Sequence, residues 1–149
     1  MKKTNSLFNK MRLIGFILAG TTLFCLSFTS VKETTQDAPW VAPNEADSLK
    51  NPMKDNAAAI TKGKALYTQM CVVCHGATGK GDGAAGKALK PKPTDFSSPV
   101  SSSQTDGALY WKLTEGKKLM ASYKKILKDE QRWQLISYMR DLQKTTVAK

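Results

Sequence analysis

Apolar residues recur at steps of three and four in three stretches of the chain. In the first, Ala59, Ile60, Gly63, Tyr67 and Met70 line one side of a helix predicted from Ala57 to Met70, with Asn56 as its N-cap. Gly63 stands mid-helix at a cost of roughly 1 kcal/mol in helix propensity relative to alanine, which close passage of another helix over that point would explain. The second stretch, with Leu109, Tyr110 and Leu113, predicts a helix that enters through Ser103 or Thr105, takes in Asp106 and stops at Gly116. The third, with Leu135, Tyr138, Met139 and Leu142, predicts a helix from Asp129 to Lys144. Asp129 and Glu130 suit its positive end and Lys144 its negative end. No convincing strand and no internal repeat appears, so the chain reads as all-α.

The segments between these helices divide the chain. Met1 to Ser30 carries Lys2, Lys3, Lys10 and Arg12 without an acid, then the apolar run Leu13 to Phe28 and the small residues Thr29 and Ser30, which is the order of a targeting segment. Export is therefore expected, to the periplasm or the outer face of the cytoplasmic membrane, with residues 1–30 as a cleaved signal peptide or a retained anchor. Residues 31–55, with Pro39, Pro43 and Pro52, read as a flexible linker in which Trp40 and Val41 either dock on a neighbour or stay exposed. Residues 56–144 make the domain and 145–149 a disordered tail. After the first helix, Gly76 to Gly86 reads as flexible glycine-rich backbone, Leu89 to Phe96 as a rigid proline-bearing turn, and Ser97 to Ser103 as a polar connector. Gly81, Gly83 and Gly86 satisfy GxGxxG, but a helix rather than a strand precedes them, so a dinucleotide site is not indicated.

The chemistry lies where the first helix ends. Cys71 and Cys74 are three residues apart, on one side of a helical turn, and His75 follows at once. That spacing attaches a c-type haem: the two sulfurs bond to the porphyrin's vinyl groups and the imidazole faces the iron. A zinc site would need about four ligands, yet His75 is the sole histidine and the third cysteine, Cys25, lies in the apolar leader. A thioredoxin-like pair would follow a strand, and a Cys71–Cys74 disulfide would leave His75 without a role.

Composition narrows the partners. The 149 residues suffice for one domain, and 41% apolar with 23% charged residues is ordinary for a globular protein. Lys and Arg number 23 against 12 acids, a net charge of +11; four of those charges leave with residues 1–30 and about +7 remains. Lysines spread from Lys50 to Lys149 rather than clustering with aromatics, so nucleic acid is disfavoured, while acidic proteins and anionic lipid stay admissible.

With one histidine, the iron's other axial position falls to a methionine, a lysine or nothing. Met120 is the best placed, in the loop beyond Gly116 and 45 residues after His75; Met70 abuts the motif, Met53 is in the linker, and Met139 belongs to a core stripe. From Asn56 to Lys144 the chain resembles a class I c-type cytochrome. The resemblance is carried by Gly63 and Tyr67, Cys71-Val72-Val73-Cys74-His75, the Gly81-Asp82-Gly83 loop, the proline turn, the methionine loop and the last helix reading Trp133 to Arg140. It implies a small cytochrome c fold around a single covalent haem, with Gly63 and Tyr67 crossing Leu135 and Tyr138. It also implies a proline carbonyl supporting His75, with Pro91 and Pro93 both available. Two departures stand out. Ala121 follows Met120 where relatives commonly have proline, which implies a looser loop, and Lys128 stands where relatives cap the last helix with Ser or Thr, which shifts the expected cap to Asp129.

The resemblance implies an electron carrier of the respiratory chain rather than an enzyme, with His75 and Met120 on the iron. Lys80, Lys87, Lys117 and Lys118 would ring an exposed edge and steer acidic donor and acceptor proteins. Two other readings stay open: a haem enzyme or gas or peroxide sensor if Met120 is labile, and a cytochrome subunit of a larger respiratory complex in the membrane.

Overall fold

The computed structural model describes residues 40–147; the expected targeting segment, the start of the linker and the last two residues lie outside that range. The described part contains five α-helices: α1 Ala57–Met70, α2 Val72–His75, α3 Pro99–Ser102, α4 Asp106–Glu115 and α5 Asp129–Val147. Two 3-10 turns, Asn44–Ser48 and Gly86–Ala88, accompany them, and no strand occurs among the described residues.

α1 begins as its sequence predicts, the Asn56 side chain accepting from the Ala59 amide at 3.0 Å. Its stripe buries Ala59, Gly63 and Tyr67 against α5. The reason for glycine at 63 is visible: a Cβ there would stand 2.1 Å from the Gln134 carbonyl oxygen and 2.9 Å from Tyr138 Cβ. The crossing thus falls over Gln134 and Tyr138, one residue from the expected Leu135, and Tyr67 meets Tyr138 edge-on at 5.2 Å. Leu135 and Ile136 are among the most deeply buried side chains.

α4 is capped by Thr105, which accepts from the Ala108 amide, and ends at Gly116 with φ 67°. It joins α5 through Tyr110 stacked on Trp133 at 4.0 Å, with the Arg132 guanidinium 4.9 Å from the Tyr110 ring. The buried Arg132 also pairs with Asp129 and donates to Thr114 Oγ1 at 2.8 Å.

Four expectations are corrected. Residues 40–55 are packed rather than a flexible linker: Ala46 is buried, its carbonyl lies over Gly107, and Thr105 Oγ1 donates to Asp47 at 2.6 Å. Asn51 Nδ2 donates to Asp106 at 3.0 Å and to Ser137 at 3.2 Å, and Ser137 donates to the Met53 carbonyl at 3.0 Å. This strap joins α4 to α5, alongside the Arg140–Asp106 ion pair at 2.7 Å. The polar connector contains a helical turn, α3, capped by Ser98. The cap of α5 stays at Lys128, whose amide is taken by the Gln131 side chain at 2.9 Å, half of a capping box. Finally, α5 runs to Val147, three residues beyond its expected end and into the stretch expected as a disordered tail.

Candidate functional site

α1 does not stop cleanly at the motif. The Cys71 amide still bonds the Tyr67 carbonyl at 2.9 Å, and the Cys71 carbonyl accepts from Cys74 at 3.2 Å and His75 at 2.8 Å. Both thiols and the imidazole therefore sit on one turn, all half-buried, with the two sulfurs free rather than joined.

The glycine-rich stretch differs from the flexible backbone expected there. It wraps the motif: Gly81 donates to the His75 carbonyl and Ala85 to the Val73 carbonyl, each at 2.9 Å, while Gly76 donates to Val72. The fit is too close for side chains. A Cβ on Gly86 would stand 2.0 Å from the Cys74 carbonyl oxygen, and one on Gly83 would meet the Val72 and Val73 carbonyls at 2.4 and 2.5 Å. Tyr67 closes the start of the wrap by donating to the Gly76 carbonyl at 2.7 Å.

His75 stacks on Phe96 at 4.8 Å, with 24° between the rings. Phe96 is held in turn by its amide on Gly79 and by Gln143, which donates to its carbonyl at 3.0 Å. Burial holds the imidazole pKa below its usual value, and the Thr94 backbone opposes that shift less strongly. Nδ1 of His75 is buried without a hydrogen-bond partner, so neither the Pro91 nor the Pro93 carbonyl is bonded to it. The neutral ring keeps a lone pair to offer. Cys71 is pushed up to about 11 by burial and then by Cys74, so its sulfur carries its proton.

Met120 belongs to the loop after α4, where Lys117 and Met120 exchange amide and carbonyl bonds of 3.0 Å each and Lys118 turns the chain with φ 54°. The methionine is less exposed than a loop position suggests: it is half-buried against the core cluster on which Met70, Cys71 and Tyr123 also pack. The Tyr123 amide donates to Leu113 at 3.2 Å. Its phenol pKa is raised by burial and then by Cys71 and Cys74. Met53 and Met139 are likewise half-buried, Met139 against the core as its stripe predicts.

Two contributors are not legible in the sequence pattern. Phe96, which reads only as the end of a turn, is the stacking partner of His75; an aromatic directly after the proline turn is its one signal. Trp40 faces Lys112 and Lys117, with their Nζ atoms 5.6 and 6.0 Å from its ring centroid.

The residue set fits haem c. Two unbonded thiols share a turn with an imidazole whose pKa burial holds low, which is the donor set that two thioether links and one axial nitrogen require. Among the described residues no group of three or more His, Cys, Asp or Glu gathers as for a bare metal ion.

Comparison with known proteins agrees. The family model described as cytochrome c oxidase, cbb3-type, subunit III matches residues 58–139, more than half of the chain. Among solved structures, a chain of the Kuenenia stuttgartiensis reducing HAO-like protein complex is 28% identical with a TM-score of 0.55; the match covers 64% of this chain and 48% of that one. This chain therefore spans about half the length of that relative. No curated protein matches. With its all-α cytochrome c fold and a CxxCH turn built to carry a haem, the chain belongs to the cbb3-type cytochrome c oxidase subunit III family of c-type cytochrome domains.

Proposed function

We propose that the domain carries single electrons through one haem c, bonded to Cys71 and Cys74 and held axially by His75 and Met120. The observation that supports this best is the return of the methionine loop to the cluster on which Cys71 also packs, with Met120 and Tyr123 both half-buried against it. The haem would supply an iron that cycles between ferric and ferrous, and a thioether opposite histidine favours the reduced form. His75 and Met120 together would fill the axial positions, so that oxygen, peroxide and substrates find none open. His75 is suited to its part by a pKa held low and by the Phe96 ring that fixes its plane. The leader at residues 1–30 would deliver the chain to the periplasmic side of the cytoplasmic membrane.

Lys80, Lys87, Lys117 and Lys118 are all exposed and would steer acidic faces of a donor and an acceptor protein. Reduction by the physiological partner is expected to slow as salt rises through the range where the Debye length falls below about 10 Å; a rate indifferent to salt removes steering from the account.

A second reading concerns setting rather than chemistry. The matched family is described as an oxidase subunit and the matched structure as a multi-protein complex, which favours a module that works within a larger redox assembly. Isolation from the native membrane in a defined complex would support it; recovery as a lone soluble carrier would count against it.

The deciding experiment is the visible spectrum of the haem-loaded protein, oxidised and reduced, beside Met120→Ala. Sharp low-spin bands, with a weak sulfur-to-iron charge-transfer band that the variant loses, are expected. A high-spin wild type would overturn the ligation and bring an enzyme or sensor forward.

A further inference from the structure

Trp40 is the one aromatic residue between the start of the described chain and α1, and it lies on the far side of the strap from the haem motif in sequence. Its ring nevertheless meets the methionine loop. Lys112 and Lys117, the two lysines against it, flank the turn where α4 gives way to the loop: the Gly116 amide bonds the Lys112 carbonyl at 2.9 Å, and Lys117 exchanges two backbone bonds with Met120. A continuous path thus runs from the indole through Lys117 to the methionine.

We propose that Trp40 is a positioning residue for Met120, clamping the end of α4 to the start of the methionine loop and so keeping the sulfur at its post. This rests on the Met120 ligation proposed above. The clamp has a firm base, because the strap behind Trp40 is held by buried Ala46, by Asp47 on Thr105 and by Asn51 on Asp106 and Ser137. It also has work to do. Two ammonium groups share one small region, where burial and then the Lys117 charge lower the Lys112 pKa. The negative face of an indole is the kind of group that offsets such repulsion. Without it the two ammonium groups repel each other across Gly116, at the point where α4 passes into the methionine loop.

The test is competition for the iron. In the full-length, haem-loaded ferric protein, imidazole can bind only when Met120 leaves, so its apparent affinity reports how often the loop opens. Trp40→Ala is expected to raise that affinity roughly tenfold, as follows from taking the indole face away from two ammonium groups. Trp40→Phe should raise it less, and Lys112→Met in the Trp40→Ala background should recover much of the wild-type value by removing the repulsion. Trp40→Leu, which keeps apolar bulk without a strong π face, carries the same expectation if the alanine variant does not mature. A role confined to stability would move the urea midpoint, leave imidazole affinity unchanged and show no rescue by Lys112→Met, and that pattern overturns the proposal. The ligation fails separately: a wild type without the sulfur-to-iron band, or Met120→Ala binding imidazole as the wild type does, would remove it. A wild type with the band and a Trp40→Ala variant with unaltered affinity would leave the ligation standing and the positioning role refuted.

Discussion

The two sides of the candidate haem site are built by different means. On the His75 side, from Cys71 to Gly86, the structure is made of backbone: carbonyls of the motif are met by amides of the wrap, and glycines stand where even a methyl group has no room. On the Met120 side, from Gly116 to Tyr123, the backbone bonds are fewer, Lys117 with Met120 and Tyr123 with Leu113 among them, one glycine, Gly116, is closely packed, Leu119 is 64% exposed, and side chains such as Ser122, which donates to the Thr114 carbonyl at 2.6 Å, share the hold. The first kind of construction admits one geometry, because a close-packed backbone cannot shift part-way. The second can be loosened or tightened by single side chains, which would suit Met120 as the proposed axial ligand.

The sharpest way to break this contrast is Gly86→Ala. The added methyl would meet the Cys74 carbonyl, and a loss of at least about 3 kcal/mol is expected, enough to stop haem-loaded protein from accumulating. Normal yield with a wild-type urea midpoint would show the wrap to be far more yielding than its distances indicate. Phe96→Ala comes next, at about 3 kcal/mol, since it removes a buried ring from both the core and the face of His75. Its reduction potential should shift as well, whereas a purely core role would leave potential alone. Tyr67→Phe keeps the ring and removes its hydrogen bond to Gly76, so about 1 kcal/mol is expected from chemical denaturation, with α1 packing intact. Smallest, and opposite in sign, is Lys118→Gly on the methionine side: relieving a left-handed lysine should add up to about 1 kcal/mol. A large loss there would mean that both sides are equally rigid.

How much of this can be read from the chain follows the range of each interaction. α1, its Asn56 cap, the close approach at Gly63 and the CxxCH turn are legible because each is a local pattern or a residue whose cost demands a reason. The wrap reads as flexible because glycine signals permissiveness, while the carbonyls that require it belong to residues about a dozen positions earlier. The strap leaves no trace because it has no period. Its hydrogen bonds reach 55 and 86 residues along the chain, from Asn51 to Asp106 and Ser137, so only the folded arrangement shows them. Which carbonyl of the proline turn faces His75 is a matter of how the turn is presented, which residue type alone does not determine.

The strap also changes where this module begins for anyone who would cut, graft or fuse it. Family resemblance starts at residue 58, yet the compact unit starts at Trp40. A piece trimmed to the resemblance would leave the surface over Gly107 uncovered, strip Asp106 and Ser137 of their Asn51 partner, and take away the ring that two lysines share. A portable version of this cytochrome therefore carries some eighteen residues that its relatives' shared pattern does not announce.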